Sequence, residues 1–123
     1  MRTLRQPLAQ LMFCEGCCCG RTDRGKPALP TDKLKAAWRA GQLNKTVQLT
    51  ISGCLGPCDL TNVTLALTPT GQVWLGELEG EAVYDALIGW AQECRAAGEV
   101  LPLPAVLDPH RFERWPTTGE VPA

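Results

Sequence analysis

In Thr46-Val47-Gln48-Leu49-Thr50-Ile51-Ser52, apolar and polar side chains alternate: Val47, Leu49 and Ile51 against Gln48 and Thr50. That period of two marks a strand with one buried face. The strand runs straight into Gly53-Cys54-Leu55-Gly56-Pro57-Cys58, a loop by its glycines and proline, with a thiol near each end. The same succession occurs earlier. Ala9 to Phe13 is a short apolar run that reads as a buried strand, and it ends at Cys14. Cys14 to Pro30 then contains Gly16, Gly20, Gly25, Pro27 and Pro30 and reads as loop.

Between the two strands, Thr31 to Ala40 reads as a helix. Thr31 is placed to cap it after Pro30, Leu34, Ala37 and Trp38 form the inward stripe, and Gly41 is the stop signal. Beyond the second cysteine loop, Val63, Leu65 and Leu67 alternate. Pro69-Thr70-Gly71 supplies a turn, and Val73 to Leu78 returns as the second arm of a hairpin. Glu81 to Ala97 is the longest helical pattern, with Val83, Leu87, Trp90 and Cys94 on one stripe and Gly98 at its end. Residues 1–98 make one domain; 99–123, with five prolines, read as an extended C-terminal tail with one turn of helix near His110.

The order β-α-β-β-β-α predicts an α/β fold. A strand, a crossover helix and a second strand make a right-handed parallel pair. The hairpin extends the sheet antiparallel, and the two main helices cover its faces. This is a thioredoxin-like arrangement with a four-stranded mixed sheet. Parallel neighbours end at the same rim, about 5 Å apart. The two cysteine loops, with 34 residues between Cys19 and Cys54, should therefore meet at the carboxyl ends of the strands, where open sheets bind ligands.

Composition narrows the chemistry. A net charge of −1 over 123 residues makes no electrostatic case for nucleic acid or a membrane surface. No apolar run approaches the roughly 20 residues that span a bilayer, and the apolar part of Met1 to Phe13 is too short and broken for a signal peptide. A cytoplasmic location is the expectation, and there thiols stay reduced. Seven cysteines, four of them within six positions, make a poor disulfide framework and point to metal or redox chemistry. A four-thiolate site from Cys14-x4-Cys19 and Cys54-x3-Cys58 suits an iron–sulfur cluster or zinc. Gly16, Gly20, Gly53 and Gly56 flank the thiols and let backbone approach a bulky ligand.

These two pairs, each after a strand, closely resemble the motifs of the thioredoxin-like 2Fe–2S ferredoxins, the family of the small peripheral subunit of bacterial complex I. Cys54-Leu55-Gly56-Pro57-Cys58 is very like the second motif of that family, and the resemblance runs from about Ala9 to Ala97. It implies a 2Fe–2S cluster held by Cys14, Cys19, Cys54 and Cys58 and a one-electron carrier, not itself an enzyme. It also implies a protein redox partner and a homodimer. Cys17 and Cys18 depart from the pattern, and either can stand in for Cys19 as the second ligand. The run Phe13-Cys14-Glu15-Gly16-Cys17-Cys18-Cys19-Gly20-Arg21 is also similar to a subgroup of small ferredoxins linked to cobalamin biosynthesis, which implies a cobalt chelatase as partner.

Two other chemistries fit the residues. One is a non-redox zinc- or cobalt-binding or metal-trafficking module. The other is a dithiol redox protein built on Cys14-x2-Cys17. Arg21, Arg24 and Lys26 form a basic patch beside the first cysteine loop that can dock an acidic partner. Cys94, Trp38 and Trp90 read as core, and His110 as a tail surface residue. Phe112 and Trp115 either pack back on the domain or grip a partner.

Overall fold

The alternation in the sequence becomes two sets of side chains on a five-stranded sheet of order β2-β1-β3-β4-β5. The structure is a computed structural model that describes residues 1–16 and 18–116. Cys17 and the end of the tail therefore lie outside the described residues. Strand β1 is Ala9–Cys14 and β2 is Val47–Ser52, joined by helix α1, Thr31–Gly41. They pair in parallel, with Ala9 opposite Val47 and Cys14 opposite Ser52. Strand β3, Thr64–Thr68, pairs antiparallel with β1, and β4, Gly71–Leu75, antiparallel with β3. Helix α2, Glu81–Ala97, follows. This is the thioredoxin-like arrangement.

The sheet has five strands, not four. Strand β5, Arg111–Phe112, pairs with β4 through Phe112 opposite Trp74 and Arg111 opposite Leu75. Two residues between prolines carry no readable alternation. Their pairing exists because a 3₁₀ turn at Ala105–His110 brings the chain back to the edge of β4. The Gly76 amide donates to the His110 carbonyl (2.9 Å), and the His110 Nδ1 lies 2.9 Å from the Gly76 carbonyl, so His110 is fixed to the sheet edge. At Gly76 the chain leaves the ladder. The amides of Glu77 and Leu78 turn to the carbonyls of Leu60 and Asn62, and β4 stops at Leu75.

Both helices lie on the same face of the sheet, not one on each. Leu34 and Trp38 of α1 share a core with Val83, Tyr84, Leu87, Ile88, Trp90, Ala91 and Cys94 of α2, over Ala9, Leu11, Phe13, Ala66 and Leu75. The opposite face carries Met12, Cys14, Leu65, Leu67 and Trp74, and Phe112, Leu55 and Leu60 pack on it. That patch is small enough for loops and the C-terminal segment to close, so no helix is needed there.

Trp38 and Trp90 are buried, and each indole N–H donates to a backbone carbonyl at 2.7 Å, of Val47 and Leu101. Buried indoles need such partners. Cys94 is fully buried, and its sulfur accepts from the Leu101 amide. Thr31 does not cap α1: Pro30 occupies that place, and the Thr31 hydroxyl donates to the Glu15 carboxylate at 3.0 Å. Among the described residues no helix is long and apolar enough to cross a membrane.

Candidate metal centre

The parallel pairing of β1 with β2 delivers Cys14 and Ser52 to the same rim. Beyond them the Glu15 amide still donates to the Ser52 carbonyl at 2.9 Å, so the two chains separate one residue later. Gly16 then turns back against the second loop. A Cβ at residue 16 would lie 3.4 Å from the Cys54 amide nitrogen and 3.9 Å from the Cys54 Cβ. The Gly16 amide closes the first loop onto the Cys19 carbonyl at 3.3 Å.

Cys14 and Cys19 are buried, Cys58 is half-buried and Cys54 is exposed. Burial pushes the Cys14 thiol up to about 12, helped by a hydrogen bond with Cys19 and by the charges of Cys19 and Cys54, while the Leu55 amide pulls the other way. A bound cation would offset that penalty by favouring the Cys14 thiolate. The donor set therefore fits a thiolate-bound metal centre. Among the described residues, no three Cys, His, Asp or Glu side chains stand as a ready-made metal cage. What the fold supplies is a shared rim with the thiols on both sides of it.

The same facts weigh against a dithiol site. A reactive cysteine needs a lowered pKa, commonly from a helix N-terminus. Cys14 shifts the opposite way, and among the described residues the next helical turn begins at Thr22.

Thr61 and Asn62 hold the two loops together, and the sequence gives no sign of it. The Thr61 hydroxyl donates to the Cys58 carbonyl at 2.6 Å, and the Cys19 sulfur lies 3.9 Å from the same oxygen. Asn62, 1% exposed, accepts from the Gly20 amide at 2.9 Å. Its Nδ2 faces the carbonyls of Pro27 and Ala28 and the Tyr84 hydroxyl at 3.1–3.2 Å. One side chain thus pins the residue after Cys19 and the end of the first cysteine loop to Tyr84 of the helical core. A polar residue before a strand is too common a pattern to reveal this in advance.

Of the glycines flanking the thiols, Gly56 has φ +118°, a conformation open chiefly to glycine, whereas Gly53 has open space where a Cβ would stand. Arg21 of the basic patch forks onto Asp23 at 2.7–2.8 Å, which offsets part of the charge. Phe112 and Trp115 pack back on Trp74, with ring centroids 6.0 and 6.3 Å away.

No family model and no curated protein matches the chain. Among solved structures, the chain is similar to the thioredoxin-like [2Fe-2S] ferredoxin from Aquifex aeolicus, with a TM-score of 0.45 and 16% identity. That match covers 89% of this chain and 100% of the other.

Proposed function

We propose that this protein is a one-electron carrier whose 2Fe–2S cluster is held by the thiolates of Cys14, Cys19, Cys54 and Cys58. The reading is carried by one observation: the loops after β1 and β2 come together at one rim, so closely that a Cβ on Gly16 would lie 3.4 Å from the Cys54 amide nitrogen. When bound, such a cluster accepts and releases single electrons without moving atoms far.

The chain's own residues divide the work. Cys14 and Cys19, set in the apolar patch with Val63, Leu65 and Trp74, keep water from one side of the site. Thr61 and Asn62 hold the two loops in register. Cys54, exposed at the rim, is the side from which a partner protein can exchange electrons. That partner is a second protein docking at this rim, and the narrower resemblance of the first cysteine run points to a cobalt-handling enzyme.

The test is the protein purified without air. Strong visible absorption that dithionite bleaches, with equimolar iron and labile sulfide, supports the reading. A colourless, zinc-loaded protein from the same preparation would discard it in favour of the non-redox metal module. Replacing Cys17, Cys18 and Cys19 singly by Ser identifies the second ligand: the variant whose spectrum changes is the one that has lost it.

A further inference from the structure

Arg114 stands on the C-terminal segment, outside both cysteine loops, yet its guanidinium packs on the second one. It lies 5.3 Å from the centroid of the Trp74 ring and 4.8 Å from that of Trp115. Gln72 fixes the clamp: its Oε1 accepts from the Trp74 indole at 3.0 Å and from the Trp115 indole at 3.1 Å. Held there, the guanidinium fills the space beside Gly56. A Cβ at residue 56 would fall 2.6 Å from Arg114 Nη2. Gly56 is two residues from Cys54 and two from Cys58.

The charge is also unspent. The Arg114 Nε is buried without a hydrogen-bond partner, and among the described residues no carboxylate pairs with the guanidinium. A cation in the corner of two tryptophan rings set nearly at right angles keeps some stabilisation from the rings. Asp59 and Glu113 line the same cavity as Arg114 without forming an ion pair with it, and the backbone it packs on is the loop bearing Cys54 and Cys58.

We propose that Arg114 is a positioning residue that raises the reduction potential of the site by holding a fixed positive charge against the Cys54–Cys58 loop. This rests on the cluster reading above. Uptake of one electron from a one-electron donor, such as dithionite or a reduced partner protein, adds one negative charge to the site and transfers no atoms. A nearby cation stabilises the reduced form more than the oxidised one. A fixed charge held on this loop should change the equilibrium constant for reduction about tenfold.

The experiment compares the full chain with Arg114→Met, Arg114→Lys and Trp115→Leu. Iron and labile sulfide per chain are measured first, then the midpoint potential by dye-mediated titration followed in the visible spectrum. Arg114→Met should keep its iron and sulfide and move to a more negative potential. Arg114→Lys, which keeps the charge, should move less. Trp115→Leu, which opens the clamp at its exposed side and leaves the buried Trp74 in place, should shift in the same direction as Arg114→Met. It also supplies the comparison if that variant does not load.

Added salt should shrink the difference between wild type and Arg114→Met. Loaded variants with unchanged potential would overturn the role of Arg114 and leave the cluster reading intact. An Arg114→Lys shift as large as that of Arg114→Met would also overturn it, by assigning the effect to packing. A wild-type protein without iron and sulfide would remove both readings together.

Discussion

Gly16 and Cys54 face each other across the rim of the sheet, 38 positions apart in sequence, so closely that a Cβ on Gly16 would come 3.4 Å from the Cys54 amide nitrogen. The approach is the point at which two loops become one site. An alanine fits at that distance, whereas a branched side chain does not. Gly16→Ala should therefore keep its iron and sulfide, and Gly16→Val should lose most of both while its far-ultraviolet dichroism stays that of the wild type. Equal metal content in the two variants would show that the close approach does not hold the loops together.

The cysteines should separate by role. Cys54→Ser and Cys58→Ser should each abolish or alter the visible spectrum. Cys94→Ser should leave the spectrum unchanged, because Cys94 is buried on the inner face of α2 against the Leu101 amide. Its cost is in stability instead, about 1–2 kcal/mol for placing a hydroxyl in an apolar site with one partner. Spectra and urea unfolding on the same preparations separate the two effects.

Asn62→Ala should be among the most damaging single changes outside the cysteines. It leaves the Gly20 amide and the carbonyls of Pro27 and Ala28 without their side-chain partner. Groups stranded in this way cost about 1–3 kcal/mol each when buried. Because these are only partly buried, a total loss of about 3 kcal/mol is expected in urea unfolding. Asn62→Asp should rescue little, since a carboxylate offers no donor to the two carbonyls.

Alkaline pH should destabilise the fold through Tyr84. Burial pushes its hydroxyl up to about 12 from an ordinary value of 10.0, opposed in part by its hydrogen bond with Asn62. A raised folded pKa means that the folded state holds the proton longer. The contribution is whole below about pH 10 and is lost as the pH rises towards 12. That gap corresponds to about 2–3 kcal/mol. Cys14 and Cys94, also raised by burial, add to the same trend in the metal-free protein. Tyr84→Phe should flatten the fall in stability between pH 10 and 12 measured on that protein, and an unchanged slope would remove Tyr84 from the account.

The C-terminal segment should contribute to stability. Leu107 is fully buried in the main core, and the Leu101 carbonyl accepts the Trp90 indole. Leu107→Ala should cost about 2–5 kcal/mol in denaturant unfolding. A chain ending at Gly98 should unfold at lower urea than the full chain.

Much of the fold could be read from local pattern. The period of two in Val47–Ser52 and the helical stripes of Leu34, Trp38, Val83, Leu87 and Trp90 each depend on residues a few positions apart. The placement of both cysteine loops at one rim followed as well, because a right-handed crossover between neighbouring parallel strands leaves few alternatives. Periodicity says that a face is apolar without naming what will cover it. For that reason the sequence led to helices on both faces and to four strands.

Only the tertiary structure decided that α1 and α2 share one core, that Arg111–Phe112 adds a fifth strand, and that Asn62 and Arg114 pack against the cysteine loops. Each of those facts joins segments distant in sequence. Asn62 reaches back 42 residues to Gly20, and Arg114 stands 58 residues from Gly56. A hydrogen bond or a charge at that separation leaves no periodic trace in the chain. It exists only once the backbone has closed around it.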